Sequence, residues 1–163
     1  MPKQKTFEAL IKQAERAHFS GWDFGFLKDR FYETEPPWDY QSIVLENLPT
    51  CDALLDMGTG GGEFLSGLPN LPRFTAATEG WCPNLEIARK HLEPLGISVQ
   101  FFERDDHLPF MDEEFDLIIN RHESFSAVEL KRILKPGGTF ITQQGGGLDN
   151  FELNQFLAPN VPF

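Results

Sequence analysis

The sequence predicts an α/β fold, a three-layer sandwich in which helices cover both faces of a mainly parallel sheet of about five strands. Short apolar segments alternate with segments of helical periodicity from residue 53 onward. The apolar segments are hydrophobic at consecutive positions, which is typical of parallel strands buried on both faces. Strands that alternate with helices form parallel sheets with right-handed crossovers.

Length and composition bound the class of protein. The chain has 163 residues, 40% of them hydrophobic and 24% charged, which is typical of one soluble globular domain. No apolar run approaches the roughly 18 residues of a membrane span, and the N-terminus carries no export signal. Cys51 and Cys82 form no CxxC pair and have no clustered histidines. We therefore expect a cytoplasmic protein with no metal site and no membrane partner.

Net charge disfavours nucleic acid as a partner. The formal charge of -11 would repel a polyanion before any specific contact formed. The basic cluster at Lys131, Arg132 and Lys135 lies on a predicted helix and is typical of a solvated face. A small-molecule partner is the better expectation.

The first 48 residues are predicted to be a helical extension or lid. Phe7, Leu10, Ile11 and Ala14 form the apolar stripe of a helix that ends near His18. The segment 19–40 is irregular and rich in aromatics, with the pairs Trp22-Asp23 and Trp38-Asp39-Tyr40 as candidates to close over a ligand. The alternative is a satellite hydrophobic cluster that packs the first helix on the sheet. A second helix is expected over 39–48.

Residues 49–163 are predicted to supply the sheet and its remaining helices. We expect strands over 53–57, 73–79, 98–102, 115–120 and 139–142, and helices over 83–92, 128–134 and 151–157. The helix over 128–134 is expected to stop before Pro136-Gly137-Gly138, because proline and glycine do not continue a helix.

A glycine-rich stretch, Asp56-Met57-Gly58-Thr59-Gly60-Gly61-Gly62-Glu63, follows the first predicted strand. Glycines let a ligand approach the backbone closely, and a following helix directs N–H groups at it. One or two glycines would indicate only a tight turn. Four within five positions favour a site for a nucleotide-like ligand.

Spacing and charge separate two such ligands. The dinucleotide fingerprint G-x-G-x-x-G, counted from Gly58, requires glycine where Glu63 stands. Carboxylates at Asp56 and Glu63 would repel a pyrophosphate but attract a ligand that carries an ammonium and a sulfonium. S-adenosylmethionine is therefore favoured over a nicotinamide cofactor.

The stretch resembles motif I of class I S-adenosylmethionine-dependent methyltransferases, acidic-x-Gly-x-Gly-x-Gly. Glu79, 23 positions after Asp56, is similar to the family's acidic residue that holds the ribose hydroxyls. Trp81 stands where the family packs apolar residues on adenine. The stretch Asp105-Asp106-His107-Leu108-Pro109-Phe110 resembles the family's Asp-x-x-x-Leu-Pro-Phe segment, one residue short, so either aspartate could meet the adenine amino group; we prefer Asp105. Residues 134–140 are similar to its Leu-Lys-Pro-Gly-Gly turn.

The resemblance implies a Rossmann-like sheet. Family members have seven strands in the order 3-2-1-4-5-7-6, whereas the predicted elements here supply the order 3-2-1-4-5 and leave little chain for strands six and seven. We therefore expect residues 49–163 to be a methyltransferase domain that is incomplete at its C-terminus. Strand five would be an exposed edge, able to pair with a second copy of the chain in a homodimer.

The transfer site is expected at the carboxyl ends of the strands, beside Asn120-Arg121-His122-Glu123. His122 is the candidate general base, supported by Glu123, with capping of the next helix as its alternative role. Gln143 and Gln144 are candidates for substrate contacts, and His91 is expected at the surface. The full set of residues predicted to bind S-adenosylmethionine is Asp56, Gly58, Thr59, Gly60, Gly62, Glu79, Gly80, Trp81, Asp105, Asp106 and Asn120.

The sequence thus predicts an S-adenosylmethionine-dependent methyltransferase with an unidentified acceptor. A non-catalytic S-adenosylmethionine-binding module and a nicotinamide-dependent oxidoreductase are the alternatives.

Overall fold

The computed structural model describes residues 6–17, 25–29, 32, 34 and 36–157. They contain one five-stranded sheet in the order β3-β2-β1-β4-β5, and every neighbouring pair is parallel. The predicted order is confirmed. The strands are β1 (Ala53–Met57), β2 (Phe74–Glu79), β3 (Ser98–Phe101), β4 (Phe115–Arg121) and β5 (Leu134–Gln143).

The helices occur at the predicted places in the chain, with ends that differ by a few residues at most. They are α1 (Phe7–Glu15), α2 (Tyr40–Asn47), α3 (Glu63–Gly67), α4 (Cys82–Leu92), α5 (Ala127–Ile133) and α6 (Phe151–Leu157), with 3-10 turns at Gly25–Leu27, Leu48–Thr50 and Glu93–Leu95. Asp39 caps α2 by accepting a hydrogen bond from Gln41 N at 3.0 Å. Ser126 caps α5 in the same way through Glu129 N.

Two hydrophobic clusters lie on opposite faces of the sheet. The first joins α2 and α4 to the sheet and includes Val44, Leu54, Leu65, Ala88, Leu92 and Ile119; the second joins α5 to the other face and includes Leu55, Met57, Leu108, Ile118 and Ile133. Strand β1 contributes alternate residues to both clusters, so all five of its residues are buried. Burial on two faces explains its continuous apolar sequence.

Strand β5 begins five residues earlier than predicted. Leu134 pairs with Phe115 and Thr139 with Leu117. The chain therefore advances five residues along β5 over the length in which it advances two residues along β4. Proline and glycine at 136–138 therefore form an irregularity inside the strand and do not precede it. An edge strand tolerates this because its outer N–H groups need no partner strand. Its place at the edge agrees with the prediction, and pairing with a second chain stays a prediction.

Helix α1 has an exposed apolar stripe. Phe7 is 77% exposed, Leu10 47% and Ile11 44%, and none of the residues of α1 is buried. The predicted helix is present, but it ends at Glu15. Packing of this stripe on the sheet is not observed among the described residues. His18, Trp22 and Asp23 lie outside them. No helix in the described ranges is both long and apolar enough to cross a membrane.

Candidate functional site

The glycine loop connects the carboxyl end of β1 to α3. Gly58, Gly60 and Gly62 all have positive φ angles, of 64°, 65° and 83°. Thr59 N donates to the carbonyl oxygen of Thr78 at 2.9 Å, which ties the loop to the neighbouring strand β2. The loop is therefore a fixed turn at the end of the sheet.

Side chains are excluded from two loop positions. A Cβ atom at Gly58 would lie 2.5 Å from Cβ and Cγ of Glu123, and one at Gly62 would lie 2.8 Å from Cγ of Leu92. Both positions also have left-handed backbone, which L side chains rarely adopt. The Gly58 contact shows that the loop after β4, residues 122–126, packs directly on the glycine loop.

Asp56 is a buried carboxyl group beneath this loop. Its side chain accepts a hydrogen bond from Thr59 Oγ1 at 2.7 Å, and the residue is only 5% exposed. Burial raises the pKa of Asp56 to about 7, against the opposing effects of the Thr59 hydrogen bond and of the Arg121 charge. The Glu79 carboxylate nearby raises it further. A cationic group at this point would be stabilised by an ionised Asp56.

Glu79 ends β2 and is also buried. Its Oε1 accepts from Trp81 N at 2.8 Å, and the backbones of Gly60 and Gly80 and the side chain of Asn84 also donate to it. Burial nevertheless raises the pKa of Glu79. The carboxylate therefore joins the glycine loop to the turn after β2. Trp81 itself is 56% exposed, so its ring is free to cover a ligand.

The structure separates the two aspartates that the sequence left open. Asp105 is half-buried and accepts a hydrogen bond from Ser124 Oγ at 2.6 Å, which brings it to the loop after β4. Asp106 is exposed and forms an ion pair with Arg104 at 2.6 Å. Asp105 therefore faces the candidate site, while Asp106 is engaged with its own neighbour.

The end of β4 is held against β5. Asn120 is completely buried, and its Oδ1 accepts from Gln144 Nε2 at 2.8 Å and from Thr142 Oγ1 at 3.3 Å. Gln144 Nε2 also lies 3.0 Å from the carbonyl oxygen of Glu123. His122 N donates to the carbonyl oxygen of Gln143 at 2.9 Å. These bonds fix the loop that carries both predicted catalytic residues.

Glu123, and not His122, is directed toward the glycine loop. His122 is exposed and has a left-handed φ of 66°. Glu123 is half-buried against Gly58, and burial, followed by the charges of Asp105 and Glu79, raises its pKa. The alternative role of His122 as a helix cap does not apply, because Ser126 caps α5.

The segment before β1 reaches the same edge of the sheet. Trp38 Nε1 donates to Gln143 Oε1 at 3.1 Å, and the ring of Tyr40 packs against Phe64 with centroids 5.4 Å apart. Arg121, which sequence reasoning named only as part of a motif, lies over the Phe64 ring at 5.1 Å. The sequence signal that could have identified Arg121 is its position directly after the predicted strand 115–120.

Three buried side-chain polar atoms in the described part of the chain have no hydrogen-bond partner, and all belong to elements around this edge. They are Tyr40 Oη, Asn84 Oδ1 and Asn120 Nδ2. An unmet buried polar group costs about 1–3 kcal/mol, so a ligand that supplied a partner to these atoms would gain binding energy. No group of three or more His, Cys, Asp or Glu residues suited to a metal ion occurs among the described residues. His91, exposed as expected, contacts the Gly61 carbonyl oxygen at 2.7 Å.

Comparisons with known proteins bear on the same region. A family model described as "Methyltransferase domain" matches residues 55–142, more than half of the chain. A ubiquinone biosynthesis O-methyltransferase from Chelativorans sp. is 30% identical over 93 residues, which cover 52% of this chain and 37% of that protein.

Two solved structures share the fold. The YcgJ protein of Bacillus subtilis superposes with a TM-score of 0.60 at 23% identity, covering 74% of this chain and 59% of that one. An S-adenosylmethionine-dependent methyltransferase, described as putative, from Methanococcus maripaludis gives 0.54 at 18% identity, covering 80% and 77%. The chain thus spans 37% of the O-methyltransferase and 59% of the YcgJ protein, less than two thirds of either.

Proposed function

The chain belongs to the methyltransferase domain family, and from that premise we propose that it binds S-adenosylmethionine at the carboxyl ends of β1, β2 and β4 and transfers its methyl group to a small-molecule acceptor. The observation that carries this proposal is the pair of buried carboxyl groups, Asp56 and Glu79, beside a glycine loop that excludes side chains. A cationic ligand complements this arrangement, whereas a pyrophosphate would meet repulsion.

Most of the predicted binding residues have a distinct task. The Glu79 carboxylate accepts hydrogen bonds from the ribose hydroxyls. One oxygen of Asp105 accepts a hydrogen bond from the adenine amino group, while its other oxygen accepts one from Ser124. Trp81 covers the adenine ring. The glycines at 58, 60 and 62 admit the ligand to the backbone, with Thr59 holding Asp56 beneath them. Asp106 has no part in the site because Arg104 engages it.

The loop after β4 handles the acceptor. S-adenosylmethionine supplies an electrophilic methyl group on a sulfonium, so the protein has to orient the acceptor and receive its proton. Glu123 is the better placed proton acceptor, because it is half-buried beside Gly58 and its raised pKa makes it more basic than an ordinary carboxylate. His122, at the solvent side of the same loop, would pass the proton outward.

A small molecule is the acceptor class that the charge supports. The net charge of -11 disfavours nucleic acid, and the relative from Chelativorans sp. is named for O-methylation in ubiquinone biosynthesis. We extend to this chain only the general class, a small acceptor whose methylated atom loses a proton.

Calorimetry tests the proposal. We expect the chain to bind S-adenosylmethionine and S-adenosylhomocysteine, and Glu79→Gln to weaken both at least tenfold, because a charge-assisted bond to the ribose is lost. Glu86→Gln is the matched control, since Glu86 is an exposed residue on α4. Binding of a nicotinamide cofactor in place of these ligands would overturn the assignment. Binding without methyl transfer to any acceptor in a screen would indicate the non-catalytic module.

A further inference from the structure

His91, in the last turn of α4, reaches the glycine loop from a position 30 residues away in sequence. Its Nδ1 lies 2.7 Å from the carbonyl oxygen of Gly61. A carbonyl oxygen can only accept a hydrogen bond, so Nδ1 carries the proton and donates it. The hydrogen bond is partly buried, although the residue as a whole is exposed. A side chain on α4 is therefore bonded to the main chain of the loop.

The peptide unit between Gly61 and Gly62 is held at both of its ends. Its carbonyl oxygen accepts from His91, and its N–H group, which belongs to Gly62, donates to the carbonyl oxygen of Thr59 at 3.0 Å. Glycine places few steric limits on φ and ψ. Hydrogen bonds therefore have to fix the orientation of this peptide unit, and His91 supplies the one that comes from a distant element.

Two elements hold the loop from different sides. On the side of β2, the carbonyl oxygen of Thr78 accepts from Thr59 N at 2.9 Å. On the side of α4, Leu92 packs so closely on Gly62 that an added Cβ would lie 2.8 Å from Leu92 Cγ. His91 directly precedes Leu92, so the last turn of α4 contacts two successive residues of the loop. The start of the loop is thus fixed by β2 and its end by α4.

We propose that His91 is a positioning residue for the cofactor site, whose hydrogen bond holds the 61–62 peptide unit in the conformation in which the loop receives S-adenosylmethionine. The inference rests on the proposed function, because it concerns the same loop. Without this donor the carbonyl oxygen of Gly61 turns to solvent and the loop samples other glycine conformations. Binding then has to reorder the loop, so affinity falls although no contact with the ligand has been removed.

Substitutions that keep or remove the donor test the inference by calorimetry with S-adenosylhomocysteine. The side-chain amide of asparagine can donate from close to the position of the imidazole Nδ1, so His91→Asn should bind within about twofold of wild type. His91→Leu removes the donor, and its Kd should rise roughly fivefold, as for the loss of one hydrogen bond. Lys90→Leu is the matched control, since Lys90 is an exposed neighbour on the same helix, and its Kd should stay within about twofold of wild type.

Hydrogen exchange in the free protein separates positioning of the loop from a general loss of stability. In His91→Leu the amide of Gly62, which donates to Thr59, should exchange several-fold faster, while the amide of Leu55 in the central strand β1 keeps its rate. Equal acceleration at both amides would show that His91 only stabilises the fold and would overturn the inference.

The binding data have their own contrary outcomes. A His91→Leu variant that binds like wild type, or a His91→Asn variant as weak as His91→Leu, would also overturn the inference while the wild-type chain still binds the ligand. Failure of the wild-type chain to bind S-adenosylhomocysteine would instead refute the proposed function, and with it the role given to this loop.

Discussion

Replacing Asp56 by asparagine measures what a buried carboxyl group costs this fold. Asparagine has nearly the same shape and keeps an oxygen for the Thr59 hydroxyl, but it carries no charge. In the folded protein burial raises the pKa of Asp56 from 3.8 to about 7. One pKa unit corresponds to about 1.4 kcal/mol, so ionising this group in place lowers the free energy of unfolding by up to about 4 kcal/mol.

The direction of the pH dependence follows from that difference. Below about pH 4 the carboxyl group is protonated in both the folded and the unfolded chain, and it imposes no penalty. Between about pH 4 and pH 7 only the unfolded chain ionises, so the contribution of Asp56 to stability falls as the pH rises. Above pH 7 the penalty is constant. Asp56→Asn should therefore be neutral at pH 4 and stabilising, by up to about 4 kcal/mol, at pH 8.

Urea unfolding at pH 4, 5.5, 7 and 8 measures the difference between variant and wild type, which cancels the titration of other groups. Asp52→Asn serves as the control because Asp52 is an exposed residue just before β1, and its effect should be small at every pH. A difference for Asp56→Asn that does not change with pH would refute the reasoning. The same variant should bind S-adenosylhomocysteine more weakly even though it is more stable.

Two further predictions concern the packing around the site. Gly62→Ala should lower the free energy of unfolding by roughly 2 kcal/mol, because residue 62 has a φ of 83° and its new Cβ would meet Leu92. Gly67→Ala is the control: a Cβ at Gly67 would have no atom within 4 Å, so this variant should be neutral or slightly stabilising. Equal effects of the two variants in urea unfolding would contradict the steric explanation. Glu129→Gln should cost about 3 kcal/mol at pH 7, because the buried carboxylate pairs with Arg132. The Arg132 hydrogen bond lowers the pKa of Glu129 below its usual 4.5, so this cost should shrink as the pH falls below 4.5 and through that lowered pKa; a cost that does not decrease on acidification below pH 4.5 would exclude the ion pair as its source.

The fold was predictable because its signals are local. The central strand β1 is apolar at successive positions since both its faces are covered, and the glycine loop follows it directly. Asp56 and Glu79 were identifiable because a polar residue that ends an apolar strand must lie at the ligand-binding edge of a parallel sheet. The structure brings both to that edge.

Other features depend on contacts between distant residues. The start of β5 was missed because proline and glycine at 136–138 indicate termination locally, while an edge position tolerates them inside a strand. The unpartnered hydroxyl of Tyr40 arises only when α2 packs beside the ends of β1 and β4. The sequence already favoured Asp105 over Asp106, and the ion pair of Asp106 with Arg104 supports that preference.

The hydrogen bonds between the loop after β4 and the outermost strand have a thermodynamic consequence. His122 N bonds to the Gln143 carbonyl oxygen, and Gln144 bonds to the Glu123 carbonyl oxygen. Within the described ranges the other edge of β5 pairs with no strand. If a second chain binds that edge and shifts this loop, linkage requires that a ligand which favours the same loop position strengthens the association of the two chains by the same factor. Association of the two chains and ligand affinity would then be thermodynamically coupled.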